Sequence, residues 1–236
     1  MITTGAMSVV VPLAGPDFLS PCGLVKAEIQ VAGVPLLRAA LETRPWWTSG
    51  QVSDADLVFV LRATDASQRF EAEALRRWYP QSNIVWLSTF TGGAALSASA
   101  GLSLLANRKG PVCVDLVDIL YNSDFDPVAE FAAVQRLGGA CLTFKSDKAI
   151  YSYLREENGE FVEAAEKRVI SNKASAGTYF FRDSAVYMDA LARSLAVPEA
   201  VTHNGLFFVC PLMNGVRAAG RTVTCHNVTD VDDIKV

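Results

Sequence analysis

Four short, unbroken apolar runs recur along the first half of the chain and restrict its fold more than any other feature. They are Ser8 to Leu13 (SVVVPL), Asp56 to Leu61 (DLVFVL), Asn83 to Leu87 (NIVWL) and Pro111 to Leu116 (PVCVDL). Each is too short for an ordinary helix and does not alternate. A strand reads this way when both of its faces are buried, as in a parallel sheet. Helical patterns lie between the runs. Pro35 opens one to about Thr43, and Asp65 or Ser67 caps another to about Trp78. A third spans Gly92 to Asn107 with Ala95, Ala98, Leu102 and Leu105 on one face. Strand and helix in alternation imply a right-handed, parallel βαβ arrangement. Ligands of such sheets sit beyond the carboxyl ends of the strands.

The second half is richer in strands. Asp126 or Pro127 starts a helix to Leu137. Cys141 to Phe144, Tyr151 to Arg155, Phe161 to Ala165 and Ala176 to Phe181 read as a meander, with a turn at Glu156-Glu157-Asn158-Gly159. Asp183 caps a helix to about Leu195, Pro211 opens another, and Arg221 to Asn227 is a last strand. The expectation is one α/β domain over 1–236, with a mixed, mostly parallel sheet flanked by helices.

The net charge of -4 carries no electrostatic footprint for nucleic acid. The five cysteines, Cys22, Cys113, Cys141, Cys210 and Cys225, contain no CxxC pair, so neither a zinc site nor a disulfide framework is expected. All but Cys22 sit in apolar runs and read as buried thiols of a reducing compartment. The longest uncharged stretch, Ile84 to Asn107, is broken by Gly92-Gly93 and reads as strand, turn and helix rather than a membrane span. The N-terminus has no charged region ahead of an apolar one, and the expectation is a cytoplasmic protein. His203 and His226 lack metal-ligand spacing and read as surface residues.

From Gly139 to Phe181 the order LTF.SD, YSY, ENG, EAAEK, IS, A.AGTYFF resembles the middle of the small sugar-phosphate nucleotidyltransferases. These are the relatives of glucose-1-phosphate thymidylyltransferase and of capsule-locus cytidylyltransferases. The likeness runs from Val9 to about Val228. It implies a Rossmann-like GT-A fold, with a nucleotide-binding half at 1–138 and a substrate-binding half at 139–236. It also implies Mg²⁺-dependent transfer of a nucleoside monophosphate from a nucleoside triphosphate to a small phosphorylated substrate. Pro12-Leu13-Ala14-Gly15 matches the family's opening and places Leu13, Ala14 and Gly15 at the nucleotide. Lys26 takes the position of a phosphate-contacting lysine. Thr91, Gly92 and Gly93 match the segment that packs on base and ribose. Asp118, in VDLVDILY, falls on the metal-holding aspartate, with Asp115 beside it at the substrate. Glu166 and Lys167 match a charged pair at the active-site wall, where the lysine meets the substrate phosphate. Gly177 and Asn204 fall on substrate-side positions, and the second metal ligand is expected among Asp230, Asp232 and Asp233, with Asp230 as the choice. A homo-oligomer is compatible with the resemblance; a membrane or nucleic-acid partner is not implied.

Two departures stand out. Pro16 to Gly23 lacks the family's second glycine and its arginine, and Pro16 and Pro21 have no N–H to offer a triphosphate. Leu206 stands where the family has a glutamate for substrate hydroxyls. These features support an alternative, a relative that binds ligand without catalysis. A third reading is a transferase that uses a nucleotide-sugar through Asp115 and Asp118. Taken alone, Glu166-Lys167 is an exposed charge pair, Gly92-Gly93 a plain turn, Asp118 a turn aspartate and Asp230 part of a solvated tail.

Overall fold

The computed structural model describes residues 6–234; the two ends of the 1–236 span lie outside. Nine strands share one sheet. They are β1 (Ser8–Pro12), β2 (Leu57–Arg62), β3 (Asn83–Leu87), β4 (Val112–Asp115), β5 (Leu137–Lys145), β6 (Tyr153–Glu157), β7 (Glu160–Ala165), β8 (Lys173–Phe181) and β9 (Thr222–Asn227). The path across the sheet is β7-β6-β8-β4-β1-β2-β3; β5 joins it by pairing with β8, and β9 by pairing with β5. β3, β2, β1 and β4 run parallel, as their apolar runs require.

Alternation along β1 explains those runs. Val9 and Val11 belong to one hydrophobic core with Leu37, Trp46, Phe59, Phe70 and Tyr79. Val10 belongs to a second core with Ala95, Ala98, Leu102, Tyr187 and Met213. The first face is covered by α1 (Leu36–Leu41) and α2 (Asp65–Phe70), which continues through a π turn to Trp78. After α3 (Ala94–Leu102) come α4 (Pro127–Ala133), α5 (Ser184–Leu195) and α6 (Leu212–Ala218). The second face is covered by α3, α5 and α6. α3 sits close to the sheet because a methyl on Gly101 would stand 2.7 Å from Val10 and 2.9 Å from Val60.

The structure revises several sequence expectations. Thr64, rather than Asp65 or Ser67, caps α2. The helix from Asp126 stops at Ala133, because Leu137 already begins β5. Gly138 and Gly139 lie in that strand, where a side chain would strike Val216, Arg221 and Met213. The second half is not a simple meander. β8 lies between β4 and β5, and of the four expected meander strands β6 and β7 are the two joined as a hairpin. β8 changes register against β5 between Ser175 and Tyr179, where Gly177 has φ +75°. The acidic tail is also a strand: Thr229–Asp233 pairs antiparallel with Ile119–Asn122. His226 is half-buried against Phe125 rather than at the surface.

Candidate active site

Beyond Pro12, Leu13 stays on the sheet through its N–H to Val60 O at 2.8 Å. The chain then turns at Gly15 into the short 3-10 turn Pro16–Phe18 and folds back on itself. Leu19 bridges Val25. Ser20 N–H donates to Leu24 O, Gly23 N–H to Ser20 O, and Leu24 N–H to Ser20 Oγ. Donors that would cradle a phosphate are therefore spent inside the loop. Asp17 reaches across to Lys26, with Nζ and Oδ2 3.7 Å apart.

Lys26 and Asp118 meet at one small cavity, walled by Leu13, Asp17, Phe18 and Val117, of about 50 Å³. Its enclosed part has room for a few waters, and it opens to solvent. On the far side of Phe18 lies an open cleft of about 510 Å³, lined by Pro16, Leu19, Arg62, Thr64 and Asp65. Arg62 ends β2 with its guanidinium 3.9 Å from the ring centre of exposed Phe90. Sequence reasoning gave no role to Phe18, Arg62 or Phe90. Their only signal was position, at or near the carboxyl ends of parallel strands.

Asp118 is presented by a bend after β4. Leu116 N–H donates to Gly177 O at 3.0 Å, and Val117 has φ +54°. Gly177 faces the aspartate, for a methyl on it would stand 3.1 Å from Asp118 Oδ1. Asp115 does not share this setting. It is fully buried, and its carboxylate takes Arg44 Nε at 3.0 Å, Arg44 Nη2 at 3.2 Å and Val117 N–H at 3.0 Å. The expected side-by-side pair of Asp115 and Asp118 is not formed, because the last residue of β4 points into the core.

Asp230 is likewise removed from Asp118. Its carboxylate accepts from Asn122 Nδ2 at 2.8 Å. Asn122 is four residues beyond Asp118 along an extended segment, roughly 13 Å. The nearer carboxylate is Asp233. Ile234 N–H donates to Asp118 O at 3.1 Å, and Asp233 pairs with Ile119. Tyr151 OH donates to Asp233 Oδ2 at 2.5 Å. Burial first, then that hydrogen bond, pushes the Tyr151 phenol upward, and the negative charges of Asp233 and Asp118 add to the shift. Asp233 is thus in contact with Tyr151, and the charge of Asp118 is near enough to be felt there. Among the described residues no three His, Cys, Asp or Glu side chains gather as a metal cage. Mg²⁺ needs none, since it is commonly held by one or two carboxylates, waters and substrate phosphates. Asp118 with Asp233 fits that pattern.

The remaining candidates lie toward the second half. Ser152 Oγ donates to Glu166, whose charge also raises the buried Tyr179 and Cys210 beyond the effect of burial itself. Ser175 Oγ donates to Tyr179 OH at 2.8 Å and accepts from Gly177 N–H at 3.1 Å, and Ser175 N–H donates to Ser152 O at 2.9 Å, which joins the Glu166 side to the strand that carries Gly177. Lys167 has φ +50°, and its Nζ stands 5.8 Å above the Phe208 ring. Asn204 and Gly205 form the tight turn of a hairpin, Thr202–His203 with Leu206–Phe207, at φ +52° and +73°. That hairpin sits on Gly92-Gly93. Phe207 N–H donates to Gly92 O at 2.8 Å, and a methyl on Gly93 would lie 2.2 Å from Phe207 O. Thr91 Oγ1 donates to Gly93 O at 2.9 Å. The close approach that Gly93 permits is to this hairpin.

No family model matches the sequence, and no curated protein matches it. Solved structures do. A nucleoside-diphosphate-sugar pyrophosphorylase from Vibrio cholerae RC9 superposes with a TM-score of 0.77 at 20% identity, covering 97% of this chain and 95% of that one. A UDP-glucose pyrophosphorylase complexed with UDP-glucose gives 0.65 at 15% identity, over 97% and 93%. The inositol-1-phosphate CTP transferase from T. maritima gives 0.66 at 14% identity, over 97% and 89%. The fold is that of the sugar-phosphate nucleotidyltransferases. Within this nucleotidyltransferase fold, the Lys26 loop and Asp118 occupy the carboxyl ends of β1 and β4, where open α/β sheets take their ligands.

Proposed function

We propose that the chain is a nucleotidyltransferase. It joins the nucleoside monophosphate of a nucleoside triphosphate to a sugar phosphate or similar small phosphorylated substrate, with Mg²⁺ as cofactor. The observation that carries this reading is the meeting of Lys26 and Asp118 at one cavity, at the carboxyl ends of parallel strands. The fold held in common with sugar-nucleotide enzymes supports it. In this reading residues 1–138 and 139–236 are the nucleotide and substrate halves of one domain. The free cysteines suit a cytoplasmic setting, and capsule or surface-glycan precursors are the products that the sequence resemblance suggests.

An oxygen of the acceptor phosphate attacks the α-phosphorus. A new P–O bond forms, the bond to the bridging oxygen of the β-phosphate breaks, and pyrophosphate leaves. A phosphate monoester is already largely dianionic at neutral pH, so no general base is required. The protein's task is positioning and charge. The Lys26 ammonium meets the leaving phosphates, and Lys167 orients the acceptor phosphate. Leu13, Ala14, Gly15, Thr91 and Gly92 border the nucleotide; Glu166, Gly177 and Asn204 border the acceptor. Asp118 and Asp233 would hold Mg²⁺, which offsets phosphate charge when bound. Asp118→Asn should lower turnover by about 100-fold or more while leaving the melting temperature unchanged; unchanged turnover would refute the assignment.

A second reading has its own observation. The loop after β1 spends the N–H groups of Ser20, Gly23 and Leu24 internally, where a triphosphate cannot use them. A chain fixed in that state binds ligand without transfer. Pyrophosphate release, assayed with each common triphosphate and a set of sugar phosphates, separates the two. The nucleotide-sugar transferase reading loses its carrying feature, because Asp115 is engaged by Arg44.

A further inference from the structure

We propose that Arg44 and Asp115 are positioning residues, a buried clamp that fixes the bend carrying Asp118. Arg44 is 1% exposed and Asp115 0%. The guanidinium grips the bend on both sides of Asp118. Before it, Nε and Nη2 hold the Asp115 carboxylate at 3.0 and 3.2 Å; after it, Nη2 donates to Ile119 O at 3.1 Å. The Asp115 carboxylate in turn takes the N–H of Val117, between the two. The clamp also reaches the opposite wall. Arg44 lies 3.7 Å from the ring centre of Tyr121, and Tyr121 OH bonds Thr178 Oγ1 at 2.6 Å, next to Gly177.

Two features favour positioning over mere stabilisation. Val117 is β-branched and sits at φ +54°, a conformation that persists only where its surroundings over-determine it. The pair is also incompletely satisfied, since Arg44 Nη1 is buried without a hydrogen-bond partner. A buried ion pair is weak support for a fold, and apolar side chains of similar volume often replace one without loss. Its geometry is better accounted for by what it holds, the three residues Leu116 to Asp118.

The catalytic meaning of Asp118 rests on the proposed function; the clamp itself does not, and the test keeps them apart. The double variant Arg44→Met/Asp115→Leu replaces the pair with apolar groups, and Arg44→Lys keeps the charge but loses the planar fork. Amide hydrogen exchange is followed peptide by peptide in the full chain, with wild type alongside. The expected result is local: exchange over residues 116–119 quickens about tenfold in Arg44→Lys while β1 and β2 keep their protection. The double variant should fold and show the same local loosening. If wild type transfers nucleotides, the Mg²⁺ concentration for half-maximal rate should rise about tenfold in both variants, with KM for the acceptor unchanged. Unchanged exchange over 116–119, or exchange that quickens evenly through the sheet, would overturn the clamp. Failure of wild type to transfer refutes the function and leaves the exchange result to decide the clamp.

Discussion

A side chain at position 177 would meet two obstacles together. The backbone there has φ +75°, and a methyl would stand 3.1 Å from Asp118 Oδ1 and 3.5 Å from Leu116 Cβ. The first costs about 1–2 kcal/mol for any L-residue. The second displaces the carboxylate that faces the cavity. Gly177→Ala should therefore lower the melting temperature by a few degrees, roughly 2–8 °C, and lower turnover by more than that loss of stability explains. Equal turnover in the folded variant would detach Gly177 from the site. His226 offers a test by pH. Its ring stacks on Phe125 at 4.2 Å, and Nε2 lies 3.1 Å from Thr224 Oγ1 and 3.6 Å from Glu130. Burial holds the imidazole below its ordinary value of 6.5, while Glu130, Glu156 and Asp124 pull it back upward. With the folded value below the unfolded one, the unfolded chain binds more protons near pH 6. The His226 contribution is thus complete above the unfolded value and is lost as pH falls through the folded one. Denaturant midpoints of wild type and His226→Gln should converge as pH drops from 7.5 to 5; parallel curves would contradict the assignment.

At the scale of elements, the hairpin Thr202–Phe207 and the turn Gly92-Gly93 act as one unit. Gly93 has φ +122° and ψ 172°, a region that is essentially glycine's alone. A methyl there would also strike three backbone atoms of Phe207 between 2.2 and 2.9 Å. Gly92 meets only the flexible end of Leu96, at 3.0 Å. Gly93→Ala should therefore cost about 3 kcal/mol or more, and Gly92→Ala less than about 1 kcal/mol. Thermal unfolding of the two variants side by side checks this; equal losses would mean that the hairpin does not seat as described. The same elements mark what a sequence reveals. β1, β2 and β4 were legible because both of their faces are buried, so Val9, Val10 and Val11 all had to be apolar; β3, at the sheet edge, is apolar yet only partly covered. The Glu156–Gly159 turn was legible because Asn158 and Gly159 carry the left-handed geometry at φ +53° and +79°. Pairing was not legible. β8 switches neighbours at Gly177, and nothing local in AGTYFF encodes that. Thr229–Asp233 looked like a solvated tail because a two-stranded ribbon at the surface needs no apolar period, and its partner Ile119–Asn122 is hidden in the run after β4.

At the scale of the whole molecule, the sheet brings together residues that the sequence separates, Lys26 and Asp118 among them. Lys26 and Asp118 were brought forward by the resemblance; Asp118 follows β4 by three residues, whereas Lys26 is returned to the end of β1 only by the fold-back of the loop between them. Asp115 was misplaced because one step along a strand reverses a side chain, and its partner Arg44 lies 71 residues away. Of Asp230, Asp232 and Asp233, the ribbon sets Asp233 opposite Ile119, next to Asp118, and the bulge that decides this register was not legible. The closed loop after β1 then poses the question that only the assembled protein can answer. A triphosphate can take N–H donors from Ser20, Gly23 or Leu24 only if the loop gives up its internal hydrogen bonds. Opening the loop spends part of the binding energy, so ligand affinity falls by the fraction of molecules already open. Ligand at a hundredfold excess over its dissociation constant still stabilises the fold by about 2.7 kcal/mol. For a chain of this size that raises the melting temperature by roughly 5–10 °C. The active nucleotidyltransferase predicts that this rise needs a triphosphate and Mg²⁺ together and that Asp118→Asn removes its Mg²⁺ dependence. A rise with triphosphate that is indifferent to Mg²⁺ and to Asp118 would instead place the nucleotide in the cleft beside Arg62, outside the reach of the Asp118 carboxylate, and would leave binding without transfer as the chain's function.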